Sequence, residues 1–254
     1  MRRLILALLT TCCISAIAQE SCYVLSVQSK TDGTRQLFCS DEIDYIDFTD
    51  GEMVIHPKKG GEQSFVKADL RWVTFREDRH QAVDLGLSVK WAACNMGGNA
   101  PHDYGSLYSW GETSPKTNYS EDCYAYYAQG QYQYIGTNIC GTSYDAAHLL
   151  WGGHWRLPTR AEVEELKTLC TWTAEELEGV AGYRVTGTNG NSIFLPSAGY
   201  QDSTERKETG TSGYYWTGTL NREMPSSAYN INFRGYAADW SASRAYGFSI
   251  RPVR

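Results

Sequence analysis

Hydrophobic positions are arranged along the chain in three ways. Residues 4–17 form one apolar run behind Arg2-Arg3, ending at Ala16-Ile17-Ala18. A positive start, a short apolar core and small residues before Gln19 are the marks of a signal peptide over residues 1–18. The run is too short for a comfortable membrane span, and no later stretch qualifies. Between residues 19 and 76 apolar positions alternate instead, as in Ile46/Phe48 and Val73/Phe75, which is the period of strands. Residues 33–48 align with residues 60–75 at a constant offset of 27, matching Gly33/Gly60, Gln36/Gln63, Phe38/Phe65, Ile43/Leu70, Tyr45/Trp72, Ile46/Val73 and Phe48/Phe75. This is an internal repeat without a gap. Each copy reads as strand, polar turn, strand with an apolar face it cannot bury alone, so the two are expected to pair into one small β unit.

The third pattern begins after a charged run, Arg76-Glu77-Asp78-Arg79-His80-Gln81, in which residues 77–81 read as a linker to a second domain over residues 82–254. Its centre is Leu149-Leu150-Trp151-Gly152-Gly153-His154-Trp155-Arg156-Leu157-Pro158-Thr159-Arg160-Ala161-Glu162. Thr159 and Glu162 have the spacing of a capping box. Val163, Leu166 and Leu169 follow at helical spacing, predicting a helix with one buried face. Asp145 is placed to cap a shorter helical turn through Leu150. Residues 182–196 predict a hairpin around an Asn-Gly turn. Residues 214–217, 229–233, 238–241 and 248–253 predict short strands. Alternation in Tyr229-Asn230-Ile231-Asn232-Phe233 assigns the asparagines to the face opposite Tyr229, Ile231 and Phe233. Residues 113–144, rich in Tyr, Asn and Gly, predict a long ordered loop.

Charge and composition narrow the partners. A net charge of −6 offers no basic stripe for nucleic acid. Aromatic residues make up 13% of the chain, with 18 tyrosines and 8 tryptophans, a composition that suits a recognition surface. Trp91, Trp110, Trp151, Trp155, Trp216 and Trp240 are expected mostly in the core. Beyond the leader six cysteines remain, Cys22, Cys39, Cys94, Cys123, Cys140 and Cys170. An even number in an exported chain favours disulfides, and fifteen pairings are open. Cys22–Cys39 and Cys123–Cys140 are the natural local staples, leaving Cys94–Cys170. Cys12 and Cys13 raise a lipid-anchor alternative, which Leu9-Thr10-Thr11 fits poorly, so ordinary export is favoured.

Several ordered strings resemble the Fibrobacter succinogenes major paralogous domain family. They are Ala82-Val83-Asp84-Leu85-Gly86-Leu87 with Lys90-Trp91-Ala92, Trp110-Gly111-Glu112-Thr113, Trp151-Gly152-Gly153 with Trp155-Arg156-Leu157-Pro158-Thr159, Asn191-Ser192-Ile193-Phe194-Leu195-Pro196 with Ala198-Gly199-Tyr200, and Ser249-Ile250-Arg251-Pro252-Val253. The resemblance implies an α+β class with a C-type-lectin-like domain of short antiparallel strands and one or two helices, preceded by the small all-β repeat unit. It implies secreted or surface proteins of Gram-negative bacteria, with the periplasm as an alternative. Some similar proteins are variable proteins of diversity-generating retroelements, whose C-terminal segment is mutagenised. The corresponding segment here is residues 229–251.

These readings place ligand binding on Tyr214, Tyr215, Asn230, Asn232, Arg234, Tyr236, Asp239, Ser241, Ser243, Tyr246 and Phe248. The ligand class stays open between a protein and a glycan on another cell or surface. Catalysis is not expected. The shared Arg-Leu-Pro-Thr-x-x-Glu pattern of formylglycine-generating enzymes is present, yet no cysteine follows Cys170 to supply their thiolate. Asp145, His148 and His154 have irregular spacing for a metal trio, and Glu112, Glu162 and Glu165 read as capping and surface carboxylates. No metal and no cofactor are predicted. The expected function is an exported, adhesin-like binding protein, with a structural surface or filament-tip component as the rival.

Overall fold

The computed structural model describes residues 23–49, 51–77, 80–235 and 237–254. The expected signal peptide, Cys22, Tyr236 and the side chain of Asp239 lie outside the described residues. The chain divides into two compact units, with the boundary between residues 79 and 80.

The first unit has six strands: β1 (Tyr23–Ser29), β2 (Arg35–Cys39), β3 (Ile43–Thr49), β4 (Glu52–Pro57), β5 (Gln63–Val66) and β6 (Leu70–Glu77). They form two antiparallel sheets, ordered β2-β1-β6 and β3-β4-β5. Each sheet takes two strands from one repeat and its third from the other. The 3-10 turns Ser40–Glu42 and Lys67–Asp69 keep the offset of 27. The first strands, absent from the sequence repeat, keep an offset of 28 instead. Val24 faces Cys39 in one sheet, and Glu52 faces Val66 in the other.

The core follows the same rule. Leu25, Val27, Ile46, Met53 and Ile55 are buried, with Phe38, Ile43, Phe65, Leu70 and Val73 packed against them. These ten residues fall into five repeat-related pairs: Leu25/Met53, Val27/Ile55, Phe38/Phe65, Ile43/Leu70 and Ile46/Val73. A lone copy would lack one strand of its sheet and half of this core, which is why the exchange is stable.

The second unit begins with the short ribbon β7 (Ala82–Val83) and β8 (Trp91–Ala92), followed by β9 (Tyr127–Ala128) and β10 (Gln131–Tyr132). Two helices come next, α1 (Ala146–Trp151) and α2 (Arg160–Leu169). Then follow β11 (Thr171–Leu177), β12 (Val180–Thr186) and β13 (Ser192–Pro196) in one sheet, and the ribbon β14 (Tyr200–Asp202) and β15 (Glu205–Lys207). The last sheet is β16 (Gly213–Leu220), β17 (Ser227–Phe233) and β18 (Ala237–Ser243).

The expected α+β, C-type-lectin-like class is overturned. Among the described residues, strands account for 43% against 11% in helix, in several small antiparallel sheets with two short α-helices. Part of the excess is β11, whose Glu-Glu-Leu ending carries no strand alternation. It pairs with β12 across the two-residue turn Glu178-Gly179, with φ of 50° and 79°, the geometry of a tight hairpin. Residues 248–253, expected as a strand, instead make single bridges: Phe248 to Tyr108, Ser249 to Tyr215, and Val253 to both Trp91 and Arg156.

Local end signals fare better. Asp145 accepts from the N–H groups of Ala147 and His148 at the start of α1. Thr159 and Glu162 form the capping box of α2. Val163 and Leu166 of that helix are buried, while Leu169, in its last position, is 55% exposed.

The sheet β16-β17-β18 lies between two apolar clusters. Trp216 and Ala228 enter one with Tyr108, Trp110, Trp155 and Phe248. Tyr215, Ile231 and Phe233 enter the other with Trp91, Val163 and Leu166. Both faces are therefore covered over its middle. Five of the six tryptophans expected in the core are buried, and Trp240 on the edge strand β18 is 63% exposed.

Candidate functional site

The half-buried rings of Tyr200, Tyr214 and Tyr246 converge at one end of this sheet. Tyr200 meets Tyr214 edge-on at 4.9 Å and Tyr246 at 5.8 Å with ring planes 43° apart. Beneath them lies Phe248, 1% exposed, at 5.1 Å from Tyr214 and stacked on the buried Trp216 at 4.2 Å. The floor is thus rigid and apolar, and the three phenol rings are its outer surface.

Backbone pairing brings these distant residues together. Gln201 and Gly247 exchange both N–H···O bonds at 2.9 Å, setting Tyr200 beside Tyr246. Gly247 is required there, since a Cβ would lie 2.7 Å from the Tyr119 ring. Ser249 donates to the Tyr214 carbonyl at 3.0 Å, which seats the chain around Phe248 against β16.

Polar groups ring the patch. Tyr214 donates its phenol to Glu208 Oε2 at 2.9 Å. Burial, then the Glu208 contact, pushes the Tyr214 phenol up to about 12, so it stays a donor at neutral pH. Burial also raises the Tyr200 phenol. Lys207 Nζ lies 2.9 Å from Asp202 and 3.6 Å from Glu205, and the Asp202 bond raises the Lys207 ammonium. The exposed Arg234 is close enough for its charge to be felt at Glu208. Asn232 faces Tyr214 across the β16–β17 pair.

Of the residues expected to bind ligand, Tyr214, Asn232, Arg234 and Tyr246 therefore belong to this end of the sheet. Others do not belong to any surface. Tyr215 is buried, donating to the Pro196 carbonyl at 2.7 Å and accepting from Asn95. Asn230 is buried on the Trp216 side, donating to the Trp240 carbonyl at 3.3 Å. Phe248 is the floor. The two asparagines do not form one solvated face, because the sheet is covered on both sides over its middle, where Asn230 lies, and only Asn232 near its end is half-buried.

Ser241 and Ser243 lie further along β18, three and five residues beyond Ala238, which faces Asn232. That is about 10 and 17 Å of strand. Their hydroxyls are engaged there by Asn221 at 3.1 Å and Tyr132 at 3.0 Å.

Two of the expected disulfides, Cys123–Cys140 and Cys94–Cys170, are corrected as well, while Cys22–Cys39 involves a residue outside those described. Cys94, Cys123, Cys140 and Cys170 are all free thiols. Cys94 packs against the cluster containing Trp216, and Cys170 against the one containing Ile231, so the sheet separates their surroundings. Residues 113–144 are held without Cys123–Cys140. Tyr119 and Tyr124 donate to the carbonyls of Leu107 at 2.5 Å and Trp110 at 2.7 Å, and the buried Arg244 bonds Tyr124 at 3.0 Å and the Gln133 carbonyl at 3.0 Å.

The other candidates have structural employment. The Asp145 carboxylate takes four backbone N–H groups, from Gly141, Ala147, His148 and Leu157, leaving it poorly disposed to a metal. Glu162 grips Arg156 through both oxygens, Glu112 holds Lys116 and the Ala125 N–H, and Glu165 holds Ser88.

Sequence reasoning missed Tyr200, Asp202, Lys207 and Glu208. Tyr200 stood in the Ala198-Gly199-Tyr200 string, but nothing local signals its approach to Tyr246. Comparison of the chain with protein-family models, curated proteins and solved structures returns no match. Among the described residues, no helix is long and apolar enough to cross a membrane.

Proposed function

We propose that this chain is an exported, non-catalytic ligand-binding protein of adhesin type, recognising its ligand through the patch of Tyr200, Tyr214 and Tyr246. The observation that supports this reading is three half-buried phenol rings on a close-packed floor of Phe248 and Trp216, edged by Glu208 and the Asp202–Lys207 pair. Ordered aromatics give contact area at low entropic cost, and the polar rim adds orientation. Export follows from the leader-like residues 1–18. Placement in the major paralogous domain family, with a variable C-terminal segment, follows from the motif strings.

The rival, a structural surface component, would draw on the exposed Phe48, Val66 and Trp72 of the first unit. Phe48 and Trp72 carry the cations of Lys67 and Arg35 over their rings, which lessens their value as an assembly face. The test is an array of glycans and surface proteins probed with the full chain and a Tyr200→Ala/Tyr246→Ala variant. The binding reading predicts capture by the first and loss in a still-folded variant. Equal capture by both would move the site, and concentration-dependent self-assembly without capture would favour the rival.

A further inference from the structure

We infer that the ligand of the tyrosine patch is a neutral saccharide, an inference that rests on the binding reading above. Three properties of the patch narrow the chemistry. The first is charge. The carboxylates whose charge reaches the rings, Asp202 and Glu208, are matched by Lys207 and Arg234, with Lys207 held between Asp202 and Glu205 and Arg234 acting on Glu208, while Arg206 lies on the opposite face of the β14–β15 ribbon. Arg206 is tied to the Ala198 carbonyl at 2.9 Å. An ionic ligand would find no surplus countercharge.

The second property is the position of the polar groups relative to the rings. Glu208 lies at the phenol of Tyr214, and Lys207 faces Tyr200 across the β14–β15 pair. A wholly apolar ligand covering the rings would strip water from these groups and return no hydrogen bond, which weighs against it. The third property is unused capacity. The phenol oxygens of Tyr200 and Tyr246 make no hydrogen bond with the described residues, while their rings are fixed by packing.

A pyranose answers all three. Its C–H face lies on a phenol ring, and its hydroxyls at the ring edge donate to carboxylates and pair with free phenols. The Tyr200 plane stands 63° from Tyr214 and 43° from Tyr246, so the rings do not form one flat platform. That geometry suits one or two sugar units of a chain better than a long flat stack.

The experiment is saturation-transfer NMR and calorimetry on the full chain, with neutral, uronic-acid and amino-sugar oligosaccharides of matched length. A neutral oligosaccharide should bind, with affinity changing less than twofold between low and high salt because no ion pair is made. Tyr200→Phe and Tyr246→Phe, which keep the rings, should each weaken it several-fold, and Tyr200→Ala should weaken it tenfold or more. Preference for a charged oligosaccharide with steep salt dependence would overturn the inference. So would neutral binding indifferent to all three variants. Capture of a protein that depends on Tyr200, with no saccharide bound, would leave the binding surface standing and remove the saccharide. No capture of either kind would remove both.

Discussion

Replacing Phe248 by alanine separates a floor residue from a ligand contact. Phe248 is 1% exposed and packs on Trp216 at 4.2 Å, with Tyr214 at 5.1 Å and Tyr200 at 6.0 Å. Truncating a buried phenylalanine removes its transfer free energy and leaves a cavity that close-packed rings fill poorly. Such losses run about 3–5 kcal/mol. At a urea dependence of about 2 kcal/mol per molar, the midpoint should fall by roughly 2 M. Tryptophan fluorescence is the assay of choice, since seven of the eight tryptophans lie in the second unit and Trp216 touches the site itself. Phe248→Leu, which keeps most of the volume, should recover the greater part of the loss. Ligand binding should survive in Phe248→Leu. If Phe248→Ala lost under about 1 kcal/mol while abolishing binding, Phe248 would be a contact residue and the floor would be misassigned.

Three other perturbations address separate parts of the structure. Burial works to raise the Glu162 carboxyl, but the Arg156 fork and the Thr159 N–H outweigh it and hold the group below the usual carboxylate range. Its stabilisation is therefore present above the unfolded value, near 4.5, and is lost as pH falls through the folded value; Glu162→Gln should flatten that part of the stability–pH curve measured by urea titration. Thiol titration of the folded chain should label the exposed Cys123 first, while Cys140, whose thiol burial pushes up to about 12, reacts only after unfolding; a protected Cys123 would contradict the unpaired assignment. In the first unit, Leu25→Ala and Met53→Ala occupy equivalent places and should each cost about 2–5 kcal/mol by circular dichroism during denaturation, with a marked inequality refuting equivalence of the two sheets.

What the sequence made legible was local. Thr159 and Glu162 are three residues apart, Asp145 adjoins the helix it caps, and the repeat at residues 33–48 and 60–75 needs no knowledge of the fold. The first strand of each repeat escaped because one extra residue changes the offset from 27 to 28. The burial of Asn230 could not be read from its strand, since its cover comes from a cluster that includes Tyr108 and Trp110, over a hundred residues earlier. Leu169 shares the period of Val163 and Leu166, but the helix ends on it. Cys123–Cys140 and Cys94–Cys170 were misread as staples because even cysteine numbers speak to compartment and say nothing of distance. The site was half legible: Tyr214 lies in the aromatic-rich β16 and Tyr246 in the bend after β18, whereas Tyr200 joins them only through the Gln201–Gly247 pairing and Glu208 through the turn that leads into β16.

The central claim, that recognition resides on the tyrosine patch and not along β18, is tested most directly by comparing two double variants. One is Tyr200→Ala/Tyr246→Ala, and the other is Ser241→Ala/Ser243→Ala, each measured against the unaltered chain on whatever glycan or protein the array captures. The account predicts a loss of tenfold or more in affinity for the tyrosine variant and less than twofold for the serine variant. The reverse order would contradict it and place the site at the far end of the strand.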